Sequence, residues 1–127
     1  MDEVTEERVT IFGLRLAEAR MTCISYAFAI DNPEARGGKE NMTINLLADP
    51  NFEELTNIFS PEILPTIREV RELVVAKAER DDVVNRMEGL RSLVTRIIAA
   101  YIEVYGADSI LDEAGQVIVS GVEEVTE

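Results

Sequence analysis

The stretch VVNRMEGLRSLVTRIIAAYIEV, residues 83–104, is the most periodic part of the sequence and decides the fold class. Its apolar residues recur at steps of four and three over three heptads, at Val83, Met87, Leu90, Val94, Ile97, Tyr101 and Val104. That spacing places them on one face of an α-helix. The face is widened by Val84, Leu93, Ile98, Ile102 and Tyr105. A helix over residues 82–105 is therefore predicted, with Gly106 as its C-cap and water on one side only.

A second apolar stripe precedes this helix and is out of register with it. The stripe consists of Ile63, Ile67, Val70 and Val74, which predicts a helix over residues 65–80. Counted in sevens, Val70 leads to Lys77 and Val84, so the two stripes differ by one residue. We interpret the slip as a break near Arg80-Asp81-Asp82, with an aspartate capping the second helix. A single continuous helix with a phase shift is the alternative.

Proline and glycine divide the chain before these two helices. Asp49-Pro50 is a helix start with proline in the first turn, and it predicts a helix over residues 50–59. Ser60-Pro61-Glu62 repeats the signal, and Pro65 delays the regular helix that follows. The sequence DNPEARGGKEN, residues 31–41, is predicted to be a loop. The sequence MTINLLA, residues 42–48, fits a short strand and a turn of helix equally well.

The first helix is predicted over residues 5–30, with Thr5 as its N-cap and two glutamates in its first turn. It carries two apolar rows. One row contains Val9, Phe12, Leu16, Ala19, Cys23, Ala27 and Ile30. The other contains Leu14, Ala17, Met21, Ile24 and Phe28. Because the rows lie well apart around the helix, we expect it to be covered on two sides, by other helices of the chain or by another subunit.

The pattern changes after Gly106. Apolar residues on either side of a polar turn at residues 112–115, Ile110-Leu111 before it and residues 117–119 after it, predict a small β-hairpin over residues 109–120. The chain has 127 residues, 46% of them hydrophobic, which is enough to bury a core without disulfides. We therefore predict one mainly α domain over residues 1–127, a bundle of about three to four helices with a small C-terminal β-hairpin.

The net charge of −13 is unevenly distributed. The span from Arg68 to Arg96 holds seven basic and six acidic residues, a balance of +1, so the rest of the chain holds −14. A chain this acidic is not expected to bind nucleic acid directly, because phosphate contacts need a basic face. It is also not expected to bind anionic membranes. Basic protein surfaces, including nucleic-acid-binding sites on other proteins, are the partners that its charge favours.

The longest notable uncharged run is MTCISYAFAI, residues 21–30, which is too short to span a bilayer. The acidic start does not resemble a secretory signal, and the single cysteine, Cys23, cannot form an intramolecular disulfide. We expect a cytoplasmic, intracellular or virion protein that is neither secreted nor membrane-spanning. Since Cys23 lies in the apolar run, burial should raise the pKa of its thiol.

Few side chains of the types that usually act in catalysis are present, because the chain has no histidine and only one cysteine. That excludes histidine-dependent triads and the usual zinc and di-iron sites. The weak candidates for a metal site are the carboxylates Glu69, Glu72, Glu79 and Asp82. Their paired spacing is similar to that by which helical nucleotide pyrophosphohydrolases hold magnesium. Only six residues separate the two pairs and arginines lie among them, so a solvated, salt-bridged helix face is the expected role.

Wide apolar helix faces without a catalytic motif favour a non-enzymatic assembly or interaction protein, acting as an oligomeric subunit or an adaptor. No cofactor is expected, and the partner is a second copy or another protein. The predicted interface comprises Phe12, Leu16, Met21, Ile24, Phe28, Met87, Val94, Ile98, Tyr101 and Tyr105. One alternative is an acidic inhibitor that occupies a basic nucleic-acid-binding site on another protein. A second alternative, and the least favoured function, is a magnesium-dependent phosphohydrolase.

Overall fold

The computed structural model describes residues 3–35 and 37–106, which form five α-helices and two short 3₁₀ turns. The helices are α1 (Glu3–Asp31), α2 (Lys39–Leu47), α3 (Pro50–Phe59), α4 (Leu64–Ala76) and α5 (Arg80–Tyr105), and the 3₁₀ turns lie at Pro33–Ala35 and Pro61–Ile63. These residues contain no strand. The prediction of a mainly α chain is confirmed, with more helices than the expected three to four. The predicted hairpin at residues 109–120 lies outside the described residues.

The two long helices, α1 and α5, lie antiparallel against each other. At one end the ring centroid of Phe12 lies 5.6 Å from that of Tyr101. At the other end Arg80 Nε donates a hydrogen bond to Asp31 Oδ1 over 2.7 Å. Helix α2 contacts both α1 and α4, and α4 packs along α5. The core therefore lies between α1 and α5 and is closed by the three shorter helices.

An aromatic cluster around Phe12 fills one end of this core. The Phe12 ring lies 5.5 Å from that of Phe59 and 6.4 Å from that of Phe52, in addition to its contact with Tyr101. Phe12 and Phe52 are completely buried. Burying an aromatic side chain of this size stabilises a fold by roughly 2–3 kcal/mol, so this cluster holds α1, α3 and α5 together.

Helix α1 is longer at its start than the sequence predicts. It begins at Glu3, so Thr5 lies inside the helix and the prediction that it is the N-cap is wrong. The extra residues bring Glu3 and Glu6 into the first turn, where the helix dipole favours a negative charge. A favourable first turn thus replaces the expected cap.

The segment at residues 42–48, whose sequence fits a strand and a turn of helix equally well, belongs to α2 up to Leu47. Leu46 and Leu47 are buried against the other helices, and the Thr43 hydroxyl donates to the Lys39 carbonyl over 2.9 Å. Helix α2 starts at Lys39, after Gly38 in the left-handed conformation at φ 77°. The predicted loop over residues 31–41 is therefore wrong for its last three residues, and also for Asp31, which ends α1. Packing against α1 and α4 decides the conformation of this short segment.

The starts of α3 and α4 follow the predicted signals. Asp49 Oδ1 accepts a hydrogen bond from the Asn51 N–H over 2.9 Å and caps α3. Pro61 opens a 3₁₀ turn, and α4 begins at Leu64 with Pro65 in its first turn. Helix α4 ends at Ala76, four residues before the predicted end.

A left-handed residue ends α4 early. Lys77 has φ 52°, and the next N–H, of Ala78, donates to the Leu73 carbonyl over 3.0 Å. This is a Schellman motif, which usually has glycine at the left-handed position. The sequence carries no glycine there, so the usual signal for the helix end is missing.

The break between α4 and α5 confirms two helices and rules out a continuous one. Helix α5 starts at Arg80, and the N-cap residue is Glu79, whose side chain makes no capping bond. The prediction that an aspartate caps α5 is therefore wrong. Asp81 and Asp82 lie inside the first turn, where they interact favourably with the helix dipole. Gly106 is the C-cap, as predicted.

Candidate interaction surface on the outer row of α1

The two apolar rows of α1 have different environments. The row that contains Phe12 and Leu16 faces the core. The second row, here named the outer row, comprises Leu14, Ala17, Met21, Ile24 and Phe28. Phe28 is 61% exposed and Met21 is 38% exposed. Because Phe28 is in contact with water in the folded chain as well as in the unfolded chain, it contributes little to folding and remains available to a partner.

The outer row follows the spacing of a coiled-coil seam. Its residues are separated by three, four, three and four positions, which corresponds to alternating a and d positions over two heptads. Its exposure is uneven, because Phe28 protrudes whereas Ala17 is 6% exposed and belongs to the hydrophobic core. Ile24 is half-buried and lies outside the contiguous hydrophobic core. The part of the row that a partner could contact therefore lies around Met21 and Phe28.

One border of the outer row is polar and internally paired. Arg15 Nη1 lies 3.0 Å from Glu18 Oε2, and both side chains are partly exposed. Ser25, one helical turn further on from Met21, adds a neutral hydroxyl. This border thus presents little net charge to a molecule that approaches the row.

The other border lies against α5. Arg20 is 2% exposed, and its Nε donates to Thr95 Oγ1 over 2.6 Å. Burial lowers the pKa of Arg20, and the positive charge of Arg91 lowers it further. Arg91 itself pairs with Glu88 on the same helix. These contacts connect α1 to α5 and keep the outer row in a fixed position on the bundle.

The structure separates the ten residues of the predicted interface into two groups. Between 0% and 7% exposed, and hence core residues of a single chain, are Phe12, Leu16, Met87, Val94, Ile98 and Tyr101. A folded protomer cannot present these six to a partner. At the surface are Met21, Ile24, Phe28 and Tyr105. Tyr105 stacks on Tyr101 with ring centroids 5.2 Å apart, away from the other three. Ala17 has the spacing of the outer row, but at 6% exposure it belongs to the core as these six residues do.

The candidate metal ligands do not form a site. Glu69 Oε2 lies 3.0 Å from Arg86 Nε, in an ion pair between α4 and α5. Glu72 and Asp82 are exposed on separate helices, and Glu79 occupies the turn between them. Nowhere in residues 3–35 and 37–106 do three or more acidic, histidine or cysteine side chains form a group that could hold a metal ion.

An open groove of about 330 Å³ separates α1 from α2. Arg15, Glu18 and Asp49 supply charged groups to its walls. Arg15 and Glu18 bind each other and Asp49 caps α3, so these groups already have structural roles. The groove does not provide a convergent set of polar groups for a ligand.

Cys23 has no features of a reactive thiol. Its side chain is buried, and burial raises the pKa of its thiol to about 12. The predicted direction of this shift is confirmed. A thiol with this pKa holds almost no thiolate near neutral pH, so it serves as a small core residue.

Acidic side chains gather at the end of the bundle where α1 starts and α5 ends. Glu3, Glu6 and Glu7 are exposed on α1, and Glu103 is exposed on α5. Glu62 is close enough to Tyr101 to affect the ionisation of its hydroxyl. This group is named the acidic end. The sequence that follows it, residues 107–127, contains six acidic residues and no basic residue.

No protein-family model matches the chain, and no match was found among curated proteins or solved structures. No helix in the described part of the chain has the length and apolar character needed to cross a membrane. The function is therefore inferred from the chain's own surface.

Proposed function

We propose that the chain is a non-enzymatic, α-helical interaction protein that docks against a helix through the outer row of α1. The observation that carries this proposal is the exposure of Phe28 and Met21 on a row with a/d spacing. Covering these side chains would remove apolar surface from water, at roughly 25 cal/mol per Å². An amphipathic helix is the partner that this spacing fits, because its own side chains would pack between those of the row.

The position of the outer row supports a docking role. Its apolar side chains lie on a helix whose other face is held in the core, so the backbone of the row is already ordered before a partner binds. The Arg20–Thr95 bond and the packing of α1 on α5 support the row from behind. Aromatic and methionine side chains are also the residue types enriched at the centres of protein interfaces.

A photo-crosslinking residue placed at position 28 would test this function in cells of the natural source. Position 75 is the matched control, because Val75 is 60% exposed on α4 and lies off the outer row. We expect discrete adducts, with another protein or with a second copy, from position 28 and not from position 75. If position 28 gave no more adduct than position 75, the proposed docking role would be lost.

A second candidate function is an acidic inhibitor of a basic, nucleic-acid-binding protein. The acidic end favours it, since several carboxylates are exposed there, and the sequence that follows α5 is also acidic. Such a surface attracts basic sites over a range set by the ionic strength. The binding would therefore weaken as salt is raised, in contrast to docking through the outer row.

Competition would test this second function. The chain should displace DNA from a basic DNA-binding protein, and the variant in which Glu3, Glu6 and Glu7 are replaced by Gln should displace much less. The control removes the same charge elsewhere, at the exposed residues Glu34, Glu54 and Glu72. If the two triple variants behave alike, total charge explains the effect and the acidic end is not a specific site.

A further inference from the structure

We infer that the occupant of the outer row is an amphipathic helix of another protein, apolar where it covers Met21 and Phe28 and basic where it reaches Glu7 and Glu3. This inference rests on the proposed function, because it names the chemistry of the partner for the same surface. It is carried by the charge on the face that continues the outer row towards the start of α1.

The heptad spacing of the outer row continues beyond Leu14. With Phe28 and Leu14 at a positions, steps of four, three and four lead from Leu14 to Thr10, Glu7 and Glu3. All of these residues belong to α1, and the side chains of Glu7 and Glu3 are exposed. A helix that follows the row from Phe28 towards the start of α1 therefore passes from apolar side chains to carboxylates.

Apolar side chains accompany this continuation along one edge. Val4 is 62% exposed and Ile11 is 38% exposed, and each follows a d position directly. Together with Met21 and Phe28, they are the large apolar side chains exposed on α1, which the structure describes throughout. The opposite edge lies against α5, where Arg20 is buried. The surface open to a partner therefore runs along the whole of α1 and is both apolar and acidic.

The carboxylates at the start of this face are not neutralised within the described chain. No ion pair of Glu3 or Glu7 is found among residues 3–35 and 37–106, whereas Glu18, further along the face, is paired with Arg15. Glu3 and Glu7 lie four residues apart, a spacing at which like charges destabilise a helix. The helix dipole favours Glu3 in the first turn, but its effect fades before Glu7. A basic side chain of a partner, placed between the two carboxylates, would remove this repulsion.

The same face of a second copy would not supply that basic side chain. The a, d and e positions of α1 from Glu3 to Phe28 contain no lysine and no arginine. The basic residues of α1 are Arg8 and Arg15, which lie away from the row, and Arg20, which is buried. Pairing of two copies through α1 would therefore leave the carboxylates without a cation, whereas a basic helix is complementary to them.

The partner helix therefore has two parts in a fixed order. Its apolar side chains cover Met21 and Phe28, and its lysine or arginine side chains face Glu3 and Glu7. Long basic side chains suit this place, because their apolar stems can lie over Val4 while their charged ends reach the carboxylates. Basic residues stabilise the C-terminal end of a helix, so we expect that end of the partner to lie beside the start of α1.

Photo-crosslinking residues at positions 4 and 28 of the full-length chain, used one at a time in cells of the natural source, would test the inference. Position 4 leaves both Glu3 and Glu7 in place. Mass spectrometry of the adducts would identify the partner peptide that reacts at each position. We expect one partner protein at both positions, with lysine or arginine in the segment at position 4 and an apolar segment at position 28. The two segments should be separated by about 36 Å, or about 24 residues of one helix.

Removal of the two carboxylates would test the role of charge. Glu3→Gln combined with Glu7→Gln should lower the yield of the adduct at position 28 by roughly threefold to tenfold, because two ion pairs are lost. The control combines Glu34→Gln with Glu72→Gln, which removes the same charge from exposed positions outside α1. We expect the control to leave the yield unchanged.

The possible failures are distinguishable. A partner segment without basic residues at position 4, or equal yields from the two double variants, would overturn the inference and leave the docking role of the outer row standing. An adduct at position 28 with a second copy of this chain would also overturn it. If position 28 gave no more adduct than position 75, the proposed function itself would fail, and this inference with it.

Discussion

Arg20 in the middle of α1 donates a hydrogen bond of 2.6 Å from Nε to Thr95 Oγ1 in the middle of α5. Arg20 is almost fully buried, and burial lowers its pKa. A guanidinium in such a place is costly unless its donors are satisfied. The bond between these two residues therefore fixes the position of α1 against α5, and with it the position of the outer row.

Replacing Thr95 with Val should destabilise the bundle. The variant keeps the shape of the side chain but removes the acceptor of a hydrogen bond from a charged donor, which costs roughly 1.5–3 kcal/mol. Urea unfolding followed by circular dichroism would measure the loss. Thr66→Val is the control, because Thr66 is half-buried on α4 and no side-chain hydrogen bond of it is found among the described residues. Equal losses in the two variants would show that the Arg20–Thr95 bond has no special role.

Lys77→Gly should stabilise the chain. Lys77 ends α4 with a positive φ of 52°, a conformation that strains a residue with a Cβ and suits glycine. We expect a gain of about 1 kcal/mol in the free energy of unfolding. Lys77→Ala separates the backbone effect from the loss of charge, since alanine retains the strain. A gain of the same size with alanine would contradict the explanation.

Stability should fall at alkaline pH because of Cys23. Its pKa rises from 9.0 to about 12 on folding, so the folded state holds the thiol proton more tightly than the unfolded state. The thiol therefore makes its full contribution to the free energy of unfolding below pH 9. This contribution, up to roughly 4 kcal/mol, is lost as the pH rises from 9 to 12. Urea unfolding at a series of pH values would measure it. Cys23→Ala should make the free energy of unfolding fall less steeply with pH. The remaining fall is due to Tyr101, because burial raises its pKa from 10.0 to about 12.

Two phenylalanines of α1 should respond in opposite ways to replacement by alanine. Phe12 is completely buried among aromatic rings, so Phe12→Ala should cost roughly 3–5 kcal/mol. Phe28 is exposed, so Phe28→Ala should change the stability of the monomer by less than about 0.5 kcal/mol. Thermal unfolding of dilute protein would compare them. A large loss from Phe28→Ala would mean that the outer row is covered within the monomer.

The local signals of the sequence determined most of the helices. Asp49-Pro50 and Gly106 lie at observed helix ends, because a side-chain cap, a proline and a glycine act on the backbone next to them. The apolar period of residues 83–104 predicted α5 because a regular stripe is a property of the sequence alone. The sequence also indicated that α1 has two apolar rows and that the thiol of Cys23 is buried.

Only the tertiary structure decided which row of α1 lies inside. Both rows have helical spacing and similar hydrophobicity, and the choice depends on Phe12 meeting Phe59 and Tyr101, residues far away in the sequence. For the same reason six residues of the predicted interface belong to the core. The end of α4 at Lys77 and the burial of Arg20 also have no local signal. A left-handed lysine and a buried arginine are both unfavourable by themselves, and they persist because the packed helices around them leave no better arrangement.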